Sequence, residues 1–142
     1  DKVARAGIAV AALPTTNLYL QARGAGTPDR RGITRLNELA AGGVRVVVAS
    51  DNVGDAFCPT GRHDPMAALN LAALGAHLDA PLETWLAAIT TDAQAALGRA
   101  PVHVDGARLE DLCISRAATA AELIAGRHPL EPVGDRIEAL KP

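Results

Sequence analysis

The first rhythm along the chain is a short apolar run at residues 6–14, AGIAVAALP, punctuated by Gly7 and Pro14, which reads as a buried strand. A polar loop rich in Gly, Arg and Pro follows at 21–32. Residues 34–43, TRLNELAAGG, then change to helical spacing: Thr34 is placed as a cap, Leu36 and Leu39 share a face, and Gly42 and Gly43 form the stop. Residues 44–50, VRVVVAS, form a second apolar run. Apart from Arg45 it lacks polar alternation, which predicts a parallel strand covered on both faces. Strand, loop, helix, strand is a βαβ unit, with a right-handed crossover expected.

A loop from Asn52 to His63 comes next, and Asp64-Pro65 opens a helix in which Met66, Leu69, Leu71, Leu74 and Leu78 make the apolar stripe. Asn70 and His77 have no evident place in that stripe. Residues 80–98 predict two short helices, the first opened by Pro81 and the second capped by Thr91, with Gln94 closing a capping box. Beyond Arg99 the pattern yields two β-like pieces, PVHV and DLCIS, joined by a turn containing Gly106. A helix over 117–125 stopped by Gly126 follows, then a Pro-rich tail. These readings divide the chain at residue 98, with a closing segment at 99–142.

Composition narrows the classes. At 142 residues, 49% of them apolar, the chain has material for one ordinary domain core. Aromatics make up 2% of it, which weakens any case for single-stranded nucleic-acid binding, a task that needs stacking platforms. The net charge of −2 is interspersed, so no basic patch invites phosphate backbones or anionic lipid. No apolar stretch is long enough for a membrane span. Cys58 and Cys113, far apart and without a CxxC, read as two buried or half-buried free thiols of a reducing cytoplasm. No signal peptide is expected at the start, and the opening residue, Asp1 instead of Met, fits a chain cut from something longer.

The candidate chemistry sits where VVVA ends in Ser50-Asp51-Asn52. A carboxylate at the C-terminal end of a parallel strand stands at the rim where α/β proteins gather ligands. Such a group can hold a hard metal or carry a proton. It can also simply cap the next turn, as Ser-Asp-Asn sequences do. GAG at 24–26 leads into Thr-Pro and not into a helix, so a nucleotide-binding loop is disfavoured.

Three segments, LPTTNLYLQ (13–21), TPDRRGITRLNEL (27–39) and SDNVGDAF (50–57), resemble the seventh and eighth barrel strands of cytosine deaminase-like enzymes of the amidohydrolase superfamily. DPMAALNLAALGAHL and ITTDAQAALG resemble that family's last barrel helices. The resemblance covers roughly residues 6–98 and weakens beyond them. It implies the last two βα units of a (β/α)8 TIM-type barrel, followed by a remnant of a small β-rich accessory segment. The implied function is a metal-dependent hydrolase, either deaminating cytosine or a related small nitrogen heterocycle or cleaving a related C–N bond.

By that resemblance Asp51 is both a ligand of a divalent metal (zinc or iron) and the acceptor of the attacking water's proton. Asn52 hydrogen-bonds the substrate, Phe57 packs on its ring or is an ordinary core residue, and Asn17 and Gln21, in the loop after strand seven, line the mouth. The family's His-x-His, two further histidines and glutamate shuttle have no match here. His63, His77, His103 and His128 all follow Asp51 and match no ligand position, so they read as surface or core residues, with His63 in the loop over the site. Most metal ligands would then lie outside this chain. Two βα units cannot close an eight-stranded barrel, so the missing strands would come from an N-terminal segment, another chain or a second copy. The alternative function is a catalytically inactive barrel piece kept as a structural or interaction module.

Overall fold

The computed structural model describes residues 2–24, 26–28 and 32–139. Its centre is a parallel pair, β1 (Val10–Ala12) beside β2 (Val46–Val48), in the register Val10–Val46, Ala11–Val47, Ala12–Val48. The predicted parallel βαβ unit is therefore present: α3 (Leu36–Ala41) precedes β2, and Gly42 and Gly43 end it. All of β2 is buried, as its unbroken apolar run requires. β1 is less covered, with Ala11 exposed on the face opposite Ala12. Part of the 27–39 segment, residues 29–31, lies outside the described residues.

The first strand is shorter than the pattern predicts. Residues 2–5 form a one-turn helix, α1 (Lys2–Arg5), and Gly7 takes φ +66. The Ile8 amide returns to the Val3 carbonyl at 3.2 Å and the Gly7 amide to Ala4 at 3.0 Å. Gly7 thus terminates a helix and does not start a strand, because only a residue without Cβ takes that left-handed turn at no cost. The segment after β1 is α2 (Pro14–Leu20), so Asn17 sits on a helix and not in a loop; Pro14 at its first turn carries the fixed φ that starts a helix.

Helices pack against the pair. α4 (Pro65–Ala76) begins as predicted: the Asp64 carboxylate accepts the Ala67 amide at 2.9 Å, and Pro65 follows at a position that needs no donor. His77 finds its place as the left-handed cap of this helix, at φ 51. Leu69 is fully buried between Ala68 and Ala72, but Leu74 is exposed, correcting its assignment to the stripe. Five residues beyond Leu69, it has turned by about 140° at 100° per residue and faces away. The core joins Ala12, Leu36, Val46 and Val48 to Leu69, Ala72, Leu78, Ala88 and Ile124. Small residues dominate it, which brings helices close to the strands.

Residues 80–98 give a 3₁₀ segment, Leu82–Ile89, and then α5 (Thr91–Ala96). The capping box is not made. Thr90 occupies the cap position and turns its hydroxyl back to the Leu86 carbonyl (2.8 Å), while the Gln94 side chain reaches forward to accept the Val102 amide (2.7 Å). PVHV forms no strand: Val102 and Val104 are exposed. DLCIS does supply β3 (Cys113–Ile114), but its antiparallel partner is β4 (Glu131–Pro132) from the tail. Between them lies α6 (Ala120–Ile124), capped by the Thr119 hydroxyl on the Glu122 amide, and α7 (Val133–Glu138) closes the described chain. Ile124 inserts into the main core. No helix among the described residues is long and apolar enough to cross a membrane.

Candidate functional site

The strand pair fixes where the candidate residues emerge. Ala49 donates its amide to the Ala12 carbonyl at 2.9 Å, so the ladder extends one residue past β2 before the chain leaves the sheet. Asp51 stands two residues further, exposed, on the C-terminal rim of both strands. On the same rim β1 hands over to α2 through Leu13 and Pro14.

Beyond Asp51 the loop is ordered by one side chain, Asp55, that no motif singles out. Asp55 Oδ2 accepts the Asn52 side-chain amide at 2.7 Å, and Oδ1 accepts the backbone amides of Phe57 and Cys58, each at 2.9 Å. The Asn52 amide leads the influences that hold the Asp55 carboxyl below the usual aspartate range, and the backbone amides of Cys58 and Phe57 add to it against the opposing effect of desolvation. The Cys58 carbonyl in turn accepts the amides of Gly54 (3.1 Å) and Gly61 (3.0 Å). Cys58 itself is fully buried and anchors the loop, whereas Cys113 is exposed, contrary to its expected burial. An aspartate side chain that accepts amides two and three residues on closes an Asx turn, which only the folded loop reveals.

The predicted site residues separate into two groups. Asn52 and Phe57 are brought together through Asp55, next to Asp51. Phe57 is 60% exposed, so its ring is not a core element of this chain. Asn17 and Gln21 stand apart: Asn17 is half-buried on α2, and its carbonyl accepts the Gln21 amide at 2.9 Å. The Gln21 carboxamide lies against Gly32, where an added Cβ would overlap it. Among the described residues no hydrogen bond or ion pair joins either of them to Asp51. His63, His77 and His103 are exposed and His128 is half-buried.

A cleft of about 360 Å³ lies beside this loop, lined by Thr15, Thr60, Arg62, Asp64, Asn70 and Ile124 among others; Asp51, Asn52 and Phe57 are not part of its wall. Arg62 pairs with Asp64 at 3.3 Å, so the cleft's cation is already matched. As for a metal, the donor set is too small: among the described residues no three His, Cys, Asp or Glu side chains converge to hold an ion. Asp51 offers one carboxylate, and one carboxylate is not a metal site.

No protein-family model matches the chain. A pterin deaminase of Rhizobium rhizogenes is 49% identical to it over 100 residues, which make up 70% of this chain and 23% of that protein. Among solved structures, 5-methylcytosine deaminase from Klebsiella pneumoniae, liganded with phosphonocytosine, superimposes with a TM-score of 0.71 at 27% identity, covering 91% of this chain and 32% of that one. The same enzyme liganded with 5-fluorocytosine gives 0.69 at 26% identity, covering 90% and 32%. The chain thus spans about a quarter to a third of the length of these proteins.

Proposed function

Because the chain is related, over most of its own length, to deaminases of the amidohydrolase superfamily, we propose that it carries part of the active site of a metal-dependent hydrolase that deaminates a small nitrogen heterocycle. In this reaction water adds to the ring carbon that bears an exocyclic amino group. The amino group gains a proton and leaves as ammonia, and a carbonyl remains. Asp51 takes the proton of the attacking water, a role open to a carboxylate placed beside the reacting carbon. Asn52 hydrogen-bonds the ring and Phe57 covers its face, while Asn17 and Gln21 stay further out toward the mouth. Zinc or iron belongs to this reading as the bound ion, and Asp51 is its single donor here, with every other ligand coming from outside this chain.

The observation that carries the proposal is the place of Asp51. It leaves the C-terminal end of one member of a parallel pair, in a chain whose fold follows a solved deaminase along 91% of its length. The exposure of Ala11 supports reading the pair as neighbouring staves of a larger (β/α)8 barrel, its remaining strands supplied by another segment or another copy. Residues 99–142 then form the closing segment against that barrel.

Cytosine-like rings are one substrate class for this site. The 49% identity to a pterin deaminase favours a second, the bicyclic aminopterins. Ammonia release by the full-length natural protein from cytosine, 5-methylcytosine and pterin, with zinc or iron supplied, tests both. Release from one of these rings supports the proposal, and release from none of them contradicts it.

A further inference from the structure

Asp55 takes part in no bond-making step assigned above, yet the loop is built around it. Its carboxylate accepts three hydrogen bonds, two from the backbone and one from Asn52. The tip of the loop, Gly54 to Phe57, is exposed, while buried Cys58 ties its end to the interior. What the lock determines is the direction of two side chains. Asn52 is held by its amide nitrogen, which fixes the plane of the carboxamide. Phe57, the chain's single phenylalanine, is exposed, and its backbone amide is fixed on Asp55. An exposed ring and a fixed carboxamide on one turn offer an apolar face and a polar contact to the same planar partner. The loop cannot relax toward Asn52 from the other side either, because Gly61 already abuts its carbonyl.

We infer that Asp55 is a positioning residue of the site: by locking residues 52–58 it sets Asn52 and Phe57 to face a planar heterocycle beside Asp51. The inference rests on the deaminase reading and adds to it a group that touches neither substrate nor metal. Its effect falls on ring binding and not on proton transfer, since Asp51 lies outside the locked segment.

Two readouts test it in the full-length natural protein carrying Cys113→Ser, which removes the exposed thiol and leaves Cys58 as this chain's reporter of loop opening. Asp55→Ala is expected to raise KM for the heterocycle about tenfold or more while kcat changes less than about threefold, the pattern of lost ground-state binding. In the same variant Cys58 should react with dithiodipyridine about tenfold faster, as its burial is lost. Should Asp55→Ala fail to fold, Asp55→Asn keeps the shape and the oxygen facing the two amides but sets an amide against Asn52; it should give the same pattern at smaller size. Unchanged KM, or a fall confined to kcat, overturns the positioning role. A parent protein that deaminates no ring overturns the deaminase reading itself, and the Cys58 rate then still decides the lock, which an unchanged rate would refute.

Discussion

Gly61 lies so close over Asn52 that a Cβ added to it would come within 2.0 Å of the Asn52 carbonyl oxygen and 3.2 Å of the Cys58 carbonyl oxygen. Both neighbours are backbone, so neither can swing aside as a side chain would. Gly61→Ala should therefore shift the loop as a whole. We expect a destabilisation of about 1–3 kcal/mol, the usual cost of overpacking, read by urea denaturation, together with faster modification of Cys58. An unchanged midpoint and an unreactive Cys58 would show that the two segments are not in contact.

The same loop makes a pH prediction. Asp55 is held below the ordinary aspartate value of about 3.9 by the hydrogen bonds that its ionised form accepts, that of Asn52 foremost. A carboxylate with a depressed folded-state pKa contributes its stabilisation in full above the unfolded value and loses it as pH falls through the folded one. Cys58 should thus stay protected through weak acid and open only below about pH 4. In Asp55→Asn the opening should no longer follow pH in that window. Stopped-flow reaction with dithiodipyridine, which works in acid, measures both. Opening at neutral pH in the parent would contradict the lock.

At the entry of α4 the Asp64 carboxylate is the acceptor for the Ala67 amide. Asp64→Ala leaves that first turn uncapped, at a cost of about 1 kcal/mol. Asp64→Asn retains an acceptor and should lose little. Denaturant midpoints of the two variants separate the cap from the Arg62 ion pair, which both remove and which is exposed enough to contribute little.

How far residues alone carry depends on whether the signal is local. Val46 to Val48 carry one: an apolar run without alternation demands cover on both faces, and all of β2 is buried. Asp64-Pro65 carries another, since a cap and its following proline act within one turn. Gly7 misled because an apolar run around a glycine suits a strand as well as the end of a helix; the hydrogen bond from Ile8 to Val3 decides between them. The partner of β3 was illegible for a different reason, as pairing across the 16 residues between Ile114 and Glu131 leaves no mark in either short segment. In the candidate site Asp51, Asn52 and Phe57 could be named from the sequence, whereas Asp55 could not be ranked, because its importance lies in three donors that only the folded turn brings to it.

Leu69 tests whether the helical layer and the strand pair form one core. It is fully buried in the cluster that holds Ala12, Val46 and Val48. Leu69→Ala should cost about 2–5 kcal/mol, the range for a core leucine that leaves a cavity. A cost under about 1 kcal/mol in urea denaturation would mean that α4 does not seal the strands.

Most direct of all is the turnover of Asp51→Asn in the full-length natural protein, measured as ammonia released from the heterocycle that the parent uses. Asp51 is exposed beyond the end of β2 in this chain, and a denaturation midpoint taken without added metal checks that the fold is kept. The change removes the base, and kcat should fall by about 10²–10⁴-fold, the usual contribution of a positioned proton acceptor. Turnover within about twofold of the parent, with the fold intact, would show that this carboxylate takes no part in the chemistry.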